Sequence, residues 1–384
     1  YASVLVTELM EYIGQSFVLP DDLACEADES ERRVREHVLC HHARMPFNAE
    51  NFVPGDEHQS YAREWLPAAS AQGEPHPDFN QPLAPEPLEE ITLENLMRFY
   101  RHPVRAFFQM RLGVNFMLEE TELPDEEPFV LDSLNRYKFN SQLLNTLIEE
   151  QDADALYARV KASGALPYGA FGEIYWQKQS EEMTGLAEKV RALRGESRSE
   201  EITLEIGDCL ITGWVHHIQP DGLLRWRPAT LNAVDGVLLW IEHLAYCASG
   251  GKGESRSYGR KDTAWHFPAL PVKQARDYLA LLIEGYRQGM REPLLLVNKS
   301  GWAWLSHCVD PQTGEINRDE ETQGKARGKL LQAWLGDQRV PGEGDDPYLQ
   351  RVIRQLDDDD IVKIQQNAER FLLPLALHHQ AGAA

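Results

Sequence analysis

The stretch ITGWVHHIQPDGLLRWRPAT, residues 211–230, holds two strand-like runs on either side of a Pro-Asp-Gly turn. Over residues 209–218, alternation places Leu210, Thr212, Trp214 and His216 on one face. Ile211, Gly213, Val215 and His217 take the other, as a period of two requires. Gln219-Pro220-Asp221-Gly222 has proline second and glycine fourth, which predicts a type I turn with a bulge. Leu223, Leu224 and Trp226 continue a return strand over 222–227, and an apolar helix follows at 233–247. A strand pair feeding a helix occurs in many folds, so this pattern alone names none.

Working outward, a further strand is predicted at 202–206 and a hairpin around 254–267. Upstream, ITLENLMRFYRHPVRAFFQMRLGV (91–114) opens with Thr92 as a cap, and Leu93, Leu96 and Phe99 or Tyr100 form an apolar stripe. Pro103 starts a second short helix. LEETELPDEEP, with six acids and no base, reads as a solvated loop. Helices are expected near 131–150, 153–163 and 169–193, then near 271–290, 320–335, 346–355 and 360–378. Helices around a small central sheet make a mixed α/β module.

The first 85 residues differ. Residues 3–13 carry a Ser3 cap and a stripe of Leu5, Leu9 and Tyr12 or Ile13; a more charged helix is expected at 30–44. From Met45 to Pro87 eight prolines break the pattern, which predicts an extended linker between modules. No repeat is evident.

The chain has 384 residues, a hydrophobic fraction of 42% and nine Trp, which suit ordered globular domains. It begins at Tyr1 with no charged-then-apolar leader, and its apolar runs are too short to span a bilayer. It reads as a cytoplasmic piece of something longer. The five cysteines are scattered without a C-x-x-C pair, so neither a disulfide framework nor a structural zinc site is supported. Cys40-His41-His42 would be a poor chelate on a helix, where adjacent side chains diverge. The net charge of −23 disfavours a protein coated with nucleic-acid-binding surface. Residues 222–265 depart from it, with six Lys/Arg against four acids, and read either as a local basic face or as an ordinary solvated sheet edge.

FYRHPVRAFFQMRLGV, LPYGAFGEIYW, ITGWVHHIQPDGLLRWRP, YCASGGKGESR and ERFLLPLAL, with the earlier SYAREWLPAAS, carry a resemblance over essentially the whole chain. The sequence resembles the C-terminal part of the RecC family, the gamma subunits of bacterial exodeoxyribonuclease V (RecBCD). The resemblance implies a restriction-endonuclease-like (PD-(D/E)XK nuclease-like) α/β domain with helix-rich additions at 86–384. Residues 1–85 would be the end of a helicase-like region with its proline-rich linker.

Active nucleases of that superfamily place an acid on the first hairpin strand and an acid-x-Lys group at the end of the second. Many also carry a His four residues after a Gly on an earlier helix. The carboxylates hold Mg²⁺, which activates water and neutralises phosphate charge. Here Trp176 stands four residues after Gly172, His216 falls at the first acid, and Pro228-Ala229-Thr230 occupies the acid-x-Lys slot. A hard cation gains nothing from Trp or Pro, and imidazole replaces carboxylate poorly. The degenerate positions are therefore Trp176, His216, Pro228 and Thr230, with no metal expected. Asp208, Asp221, Glu173 and Glu242 are the acids that could rebuild a site. Ser249-Gly250-Gly251-Lys252-Gly253 fails the phosphate-loop pattern twice, with Tyr246 for the first Gly and Gly253 for Ser/Thr. The cysteines by which some relatives hold an iron–sulfur cluster are absent, His102 standing in Arg-His-Pro.

The resemblance implies a role without chemistry of its own: splitting duplex DNA, channelling strands to RecB and RecD motors, and taking part in the Chi response during recombinational repair. ATP and Mg²⁺ would be used by those other subunits, and Chi-reading residues would lie upstream. Single- and double-stranded DNA would be ligands. Aromatic and basic side chains together suit strand contact, which selects Arg225, Trp226, Arg227, Arg260, Lys261 and Trp265. Core burial is the competing fate of Trp226 and Trp265. Two other readings stand beside this one: a cryptic Mg²⁺-dependent nuclease, and a pure subunit scaffold without DNA contact, whose interfaces would be the apolar faces of the terminal helices.

Overall fold

The computed structural model describes residues 3–40, 42–56, 59–62, 65–66, 69, 81–116, 131–310, 313–337 and 340–380. The chain forms two compact units, Tyr1–Phe79 and Asn80–Ala384. The expected boundary at 85 compares with this division a few residues earlier. The Leu83 N–H donates to the Arg291 carbonyl at 2.8 Å, which holds that stretch in the second unit. Most of the proline-rich segment and all of the acidic stretch 118–128 lie outside the described residues.

In the first unit α1 (Val4–Ser16) starts at Ser3, whose side chain accepts from the Val6 N–H, and α2 spans Ala27–Val38. The expected helix at 30–44 thus begins earlier and stops at Val38, because Leu39 is extended (φ −85°, ψ 116°). The two helices touch at Gly14, where a Cβ would fall 2.7 Å from Glu31 Cγ. The Leu5, Leu9 and Tyr12 stripe is exposed.

The second unit opens with β1 (Glu90–Thr92) and α3 (Leu93–Arg101), then α4 (Pro103–Ala106), which runs into a π-helical turn at Phe107–Arg111. Three helices follow, α5 (Ser133–Ile148), α6 (Ala153–Ala162) and α7 (Ala170–Leu193). Next come β2 (Arg198–Ile206), β3 (Cys209–Gln219), β4 (Gly222–Trp226), α8 (Ala233–Ala248), β5 (Glu254–Tyr258) and β6 (Ala264–Phe267). The chain closes with α9 (Val272–Gly289), α10 (Asn298–Cys308), α11 (Glu320–Leu335), α12 (Pro347–Val352) and α13 (Asp358–His378). Side-chain caps explain several starts: Thr92 accepts from Asn95 N–H, Asp319 from Thr322 N–H, and Asn232 with Asp235 forms a capping box.

The sheet is mixed, in the order β1-β3-β4-β5-β6 with β2 paired to the far edge of β3. β1 runs parallel to β3 and β4 parallel to β5; the other pairs are antiparallel. β3 meets β4 only at Ile218↔Leu223 and Gln219↔Gly222, the two ends of the Pro-Asp turn. Gly222 is required there: its φ is +127°, and a Cβ would lie 1.9 Å from the Glu254 carbonyl oxygen of β5. This is the mixed α/β architecture expected.

The two halves of the sheet are covered differently. Leu223, Trp265 and Phe267 face the large core with α3, α8, α9 and α10–α13. Leu224 and Tyr258 face a smaller core built by α5–α7, from Phe139, Leu143, Leu144, Met183 and Val190. β4–β6 are therefore buried on both sides. In β1–β3, Ile91, Ile202, Leu204, Ile211 and Val215 enter the large core, while Glu90, Glu201, Thr203, Trp214 and His216 are on the exposed side.

Two elements were absent from the sequence reading. Glu90–Thr92, which ends at the Thr92 cap, is a short strand, because Ile91 pairs with Ile211. The helix α10 was missed altogether, since its cap comes from far away: the Glu343 carboxylate accepts from Lys299 N–H (2.9 Å) and Ser300 N–H (2.7 Å).

Candidate functional site

The strand β3 alternates as expected up to His216 and then slips. His217 has φ +52°, so the residue is turned out of the ladder and Ile218 is buried in its place. The partner strand shows the matching register shift between Arg198 and Glu200, a β-bulge. His217 consequently lies with its ring 6.1 Å from Trp226. Burial, then the charges of Arg225 and His216, lower the affinity of His217 for a proton. No sequence signal marks this bulge.

His216, expected to fall at the first nuclease acid, is exposed on the open face. Its Nδ1 is 2.9 Å from Ser199 Oγ, and its ring stacks on Trp214 at 6.2 Å with the planes 6° apart. Trp176 sits on α7, packed 4.9 Å from the Tyr157 ring and 5.8 Å from that of Phe139. It shares the smaller core with Trp226. The preceding Gly172 is needed for packing, since a Cβ would lie 2.2 Å from the Pro167 carbonyl oxygen. Pro228 is buried just beyond β4, and Thr230 is exposed. His216, Trp176 and Pro228 are thus each held by hydrogen bonding, stacking or packing of their own.

The acids that could rebuild a site point apart. Glu242 on α8 receives two hydrogen bonds from Arg225, Nε at 3.0 Å and Nη2 at 2.8 Å. Asp208 pairs with Arg287 at 2.8 Å, and its carboxyl is held below the usual range chiefly by that hydrogen bond. Glu173 pairs with Lys161 at 3.1 Å, while Asp221 is exposed in the Pro-Asp turn. Among the described residues no group of three or more His, Cys, Asp or Glu is placed to hold a metal ion. Cys40 Sγ lies 3.1 Å from His42 Nε2 in the first unit, and His41 falls outside the described residues.

Three of the six expected DNA-contact residues, the arginines, act as clamps. Arg225 and Arg227 reach from β4 and its end to Glu242 and Asp235 of α8. Arg227 also lies 5.6 Å over the Tyr137 ring. Arg260, in the β5–β6 turn, grips Glu182 of α7 through two nitrogens. Trp265 is buried against Gly236, its indole N–H donating to the Asn232 carbonyl at 3.1 Å, and Trp226 is half-buried in the smaller core. Lys261, at φ +56°, is exposed and makes no ion pair with the described residues.

Two further sequence features find structural roles. Ser249–Gly251 closes the C-terminal end of α8, with the Gly251 N–H bonded to the Tyr246 carbonyl at 2.9 Å. Phosphate loops precede a helix and use the positive end of its dipole; this loop follows one. His102 caps α4 by accepting from the Arg105 N–H at 3.1 Å, and its Nε2 lies 3.2 Å from Asp346.

The family model that matches is the RecC C-terminal domain, over residues 88–309. The chain is 54% identical over 381 residues to the RecBCD enzyme subunit RecC of Escherichia coli K12, covering 99% of this chain and 34% of that protein. Identity is 33% over 379 residues to the same subunit of Buchnera aphidicola subsp. Acyrthosiphon pisum, covering 98% of this chain and 34% of that one. For Buchnera aphidicola subsp. Schizaphis graminum it is 32% over 292 residues, 76% of this chain and 27% of the relative. The chain thus spans about a third of the length of the curated relatives it matches. With more than half its residues inside the family model and half of them identical to a named member, the chain belongs to the RecC C-terminal domain family.

Proposed function

We propose that this chain is the non-catalytic, DNA-handling and scaffolding part of a RecBCD-type helicase and nuclease in double-strand break repair by homologous recombination. In this reading its second unit is a PD-(D/E)XK nuclease-like domain without the nuclease's chemistry. It assembles in the cytoplasm with RecB and RecD, which supply ATP hydrolysis and Mg²⁺ chemistry, and it helps separate and channel strands and relay the Chi response. The observation that carries the reading is the state of the nuclease positions. His216 is bonded to Ser199 and stacked on Trp214, Trp176 is packed between aromatic rings, and Pro228 is buried. The nearby acids Glu242, Asp208 and Glu173 are neutralised by three different bases. A Mg²⁺ site needs convergent, unengaged carboxylates.

The test is incubation of the pure chain with linear duplex DNA and Mg²⁺ or Mn²⁺. No cleavage is expected. Cleavage that Asp208→Ala abolishes would restore the cryptic-nuclease reading.

A specific observation favours the pure scaffold as second reading: Arg225, Arg227 and Arg260 already spend their charge on carboxylates. Reversing Arg225 and Arg227 to Glu in the assembled complex separates the two. Weakened DNA binding with intact assembly supports DNA handling; unchanged DNA affinity across salt concentrations supports the scaffold.

A further inference from the structure

The open face of β1–β3 is chemically unlike the rest of the sheet. Its outward side chains form rows across the strands: Glu90, Leu210 and Glu205; then Thr92, Thr212 and Thr203; then Trp214 beside Glu201; then His216 beside Ser199. Trp214 is 52% exposed, an unusual position for the largest apolar side chain on a regular strand. Glu201 and Glu205 have no basic partner among the described residues, and Glu90 accepts only from Thr212 Oγ1, at 2.8 Å. No Lys or Arg stands in these rows.

The same strand leaves a backbone edge unpaired. β2 pairs with β3 alone, so its other side meets no strand among the described residues. At its end Arg276 bonds the Glu205 carbonyl, which leaves the stretch before it open. The opposite edge of the sheet is closed: the Gln380 N–H donates to the His266 carbonyl of β6 at 3.0 Å, and the His266 N–H to His379 Nδ1 at 3.4 Å. An open edge is a template for a further strand, and charge on it selects what can pair.

We propose that this edge and face receive an extended, basic segment of a partner protein. The segment adds a strand beside β2, and alternate Arg or Lys side chains reach over the face. One such cation lies on the Trp214 ring between Glu201 and His216, and another answers Glu205. A cation over an indole flanked by carboxylate gains from both the ring quadrupole and the charge. A nucleic acid does not fit, because its phosphates would meet three carboxylates and no base. Nor does a second copy of this chain, since β2 against β2 would bring Glu201 and Glu205 of both copies together. This inference is independent of DNA contact elsewhere on the chain.

The test uses the 384-residue chain and a capped synthetic peptide as long as β2 that alternates arginine and threonine. Controls are the same peptide with glutamate for arginine, and one with proline for alternate threonines. Calorimetric titration should show binding of the arginine peptide alone, and amide exchange across 198–206 should slow when it is bound. Trp214→Ala and Glu201→Lys, each checked for folding by circular dichroism, should weaken binding about tenfold. The proposal is overturned by failure of the arginine peptide to bind, or by binding that neither substitution changes. Self-association of the chain, or binding of an oligothymidylate, that Trp214→Ala abolishes would equally overturn it, since the face would then serve another occupant.

Discussion

The two halves of the central sheet hold similar side chains and put them to opposite uses. β4–β6 have helices on both faces, and the charges there are matched: Arg225 with Glu242, Arg227 with Asp235, Arg260 with Glu182. β1–β3 have helices on one face, and the other presents Trp214, His216 and three carboxylates without cationic partners among the described residues. The difference teaches that charge counted along a chain is not charge offered to a ligand. The stretch 222–265, a basic segment of an acidic chain, is largely internal clamping. The accessible electrostatic feature is the acidic, aromatic face that the count did not single out.

That contrast predicts unequal costs for similar truncations. Glu242→Ala leaves the Arg225 guanidinium partly buried without its carboxylate and should cost about 2 kcal/mol. Trp214→Ala, on the open face, should change stability by less than about 0.5 kcal/mol despite removing the larger side chain. Urea unfolding of both variants checks this; equal costs would mean the open face is as structural as the covered one.

A pH-dependent effect sharpens the comparison through two histidines. His216 is exposed, whereas His243 on α8 is fully buried, with Nδ1 2.7 Å from Ser255 Oγ. Burial, with His378 and His266 nearby, pushes its pKa from 6.5 down to about 4. The unfolded chain binds a proton that the folded chain refuses, so stability is whole above about pH 6.5 and falls until about pH 4. Burial lowers His379 as well, adding in the same direction. Between pH 7 and pH 5 the loss from His243 is about 2 kcal/mol. Urea midpoints at the two pH values measure it, and His243→Gln should flatten the slope.

Much of the fold was legible. The strands at 202–206, 209–218 and 222–227, the hairpin and most helices follow from periodicity and from caps that sit beside their helices, as Thr92, Asn232 and Asp319 do. What escaped depends on distant residues. α10 is capped by Glu343, more than forty residues on, and β1 is a strand only because Ile91 finds Ile211. At the candidate site, His216 was foreseen on one face with Leu210, Thr212 and Trp214, but the turn of His217 towards Trp226 rests on a bulge that no local pattern encodes. The ion pairs of Arg225, Arg227 and Arg260 join β4 and the β5–β6 turn to helices, and composition says nothing of partners.

The central claim is that the positions expected to carry a nuclease's metal ligands bind no divalent ion, their side chains being held by other contacts or, at Thr230, exposed. Titrating the purified chain with Mn²⁺ and following the free ion by electron paramagnetic resonance tests this most directly. The account predicts that the free-ion signal grows in proportion to added manganese and is the same for wild type, His216→Ala and Asp208→Ala. A saturable loss of signal in the wild type that either substitution removes would contradict it.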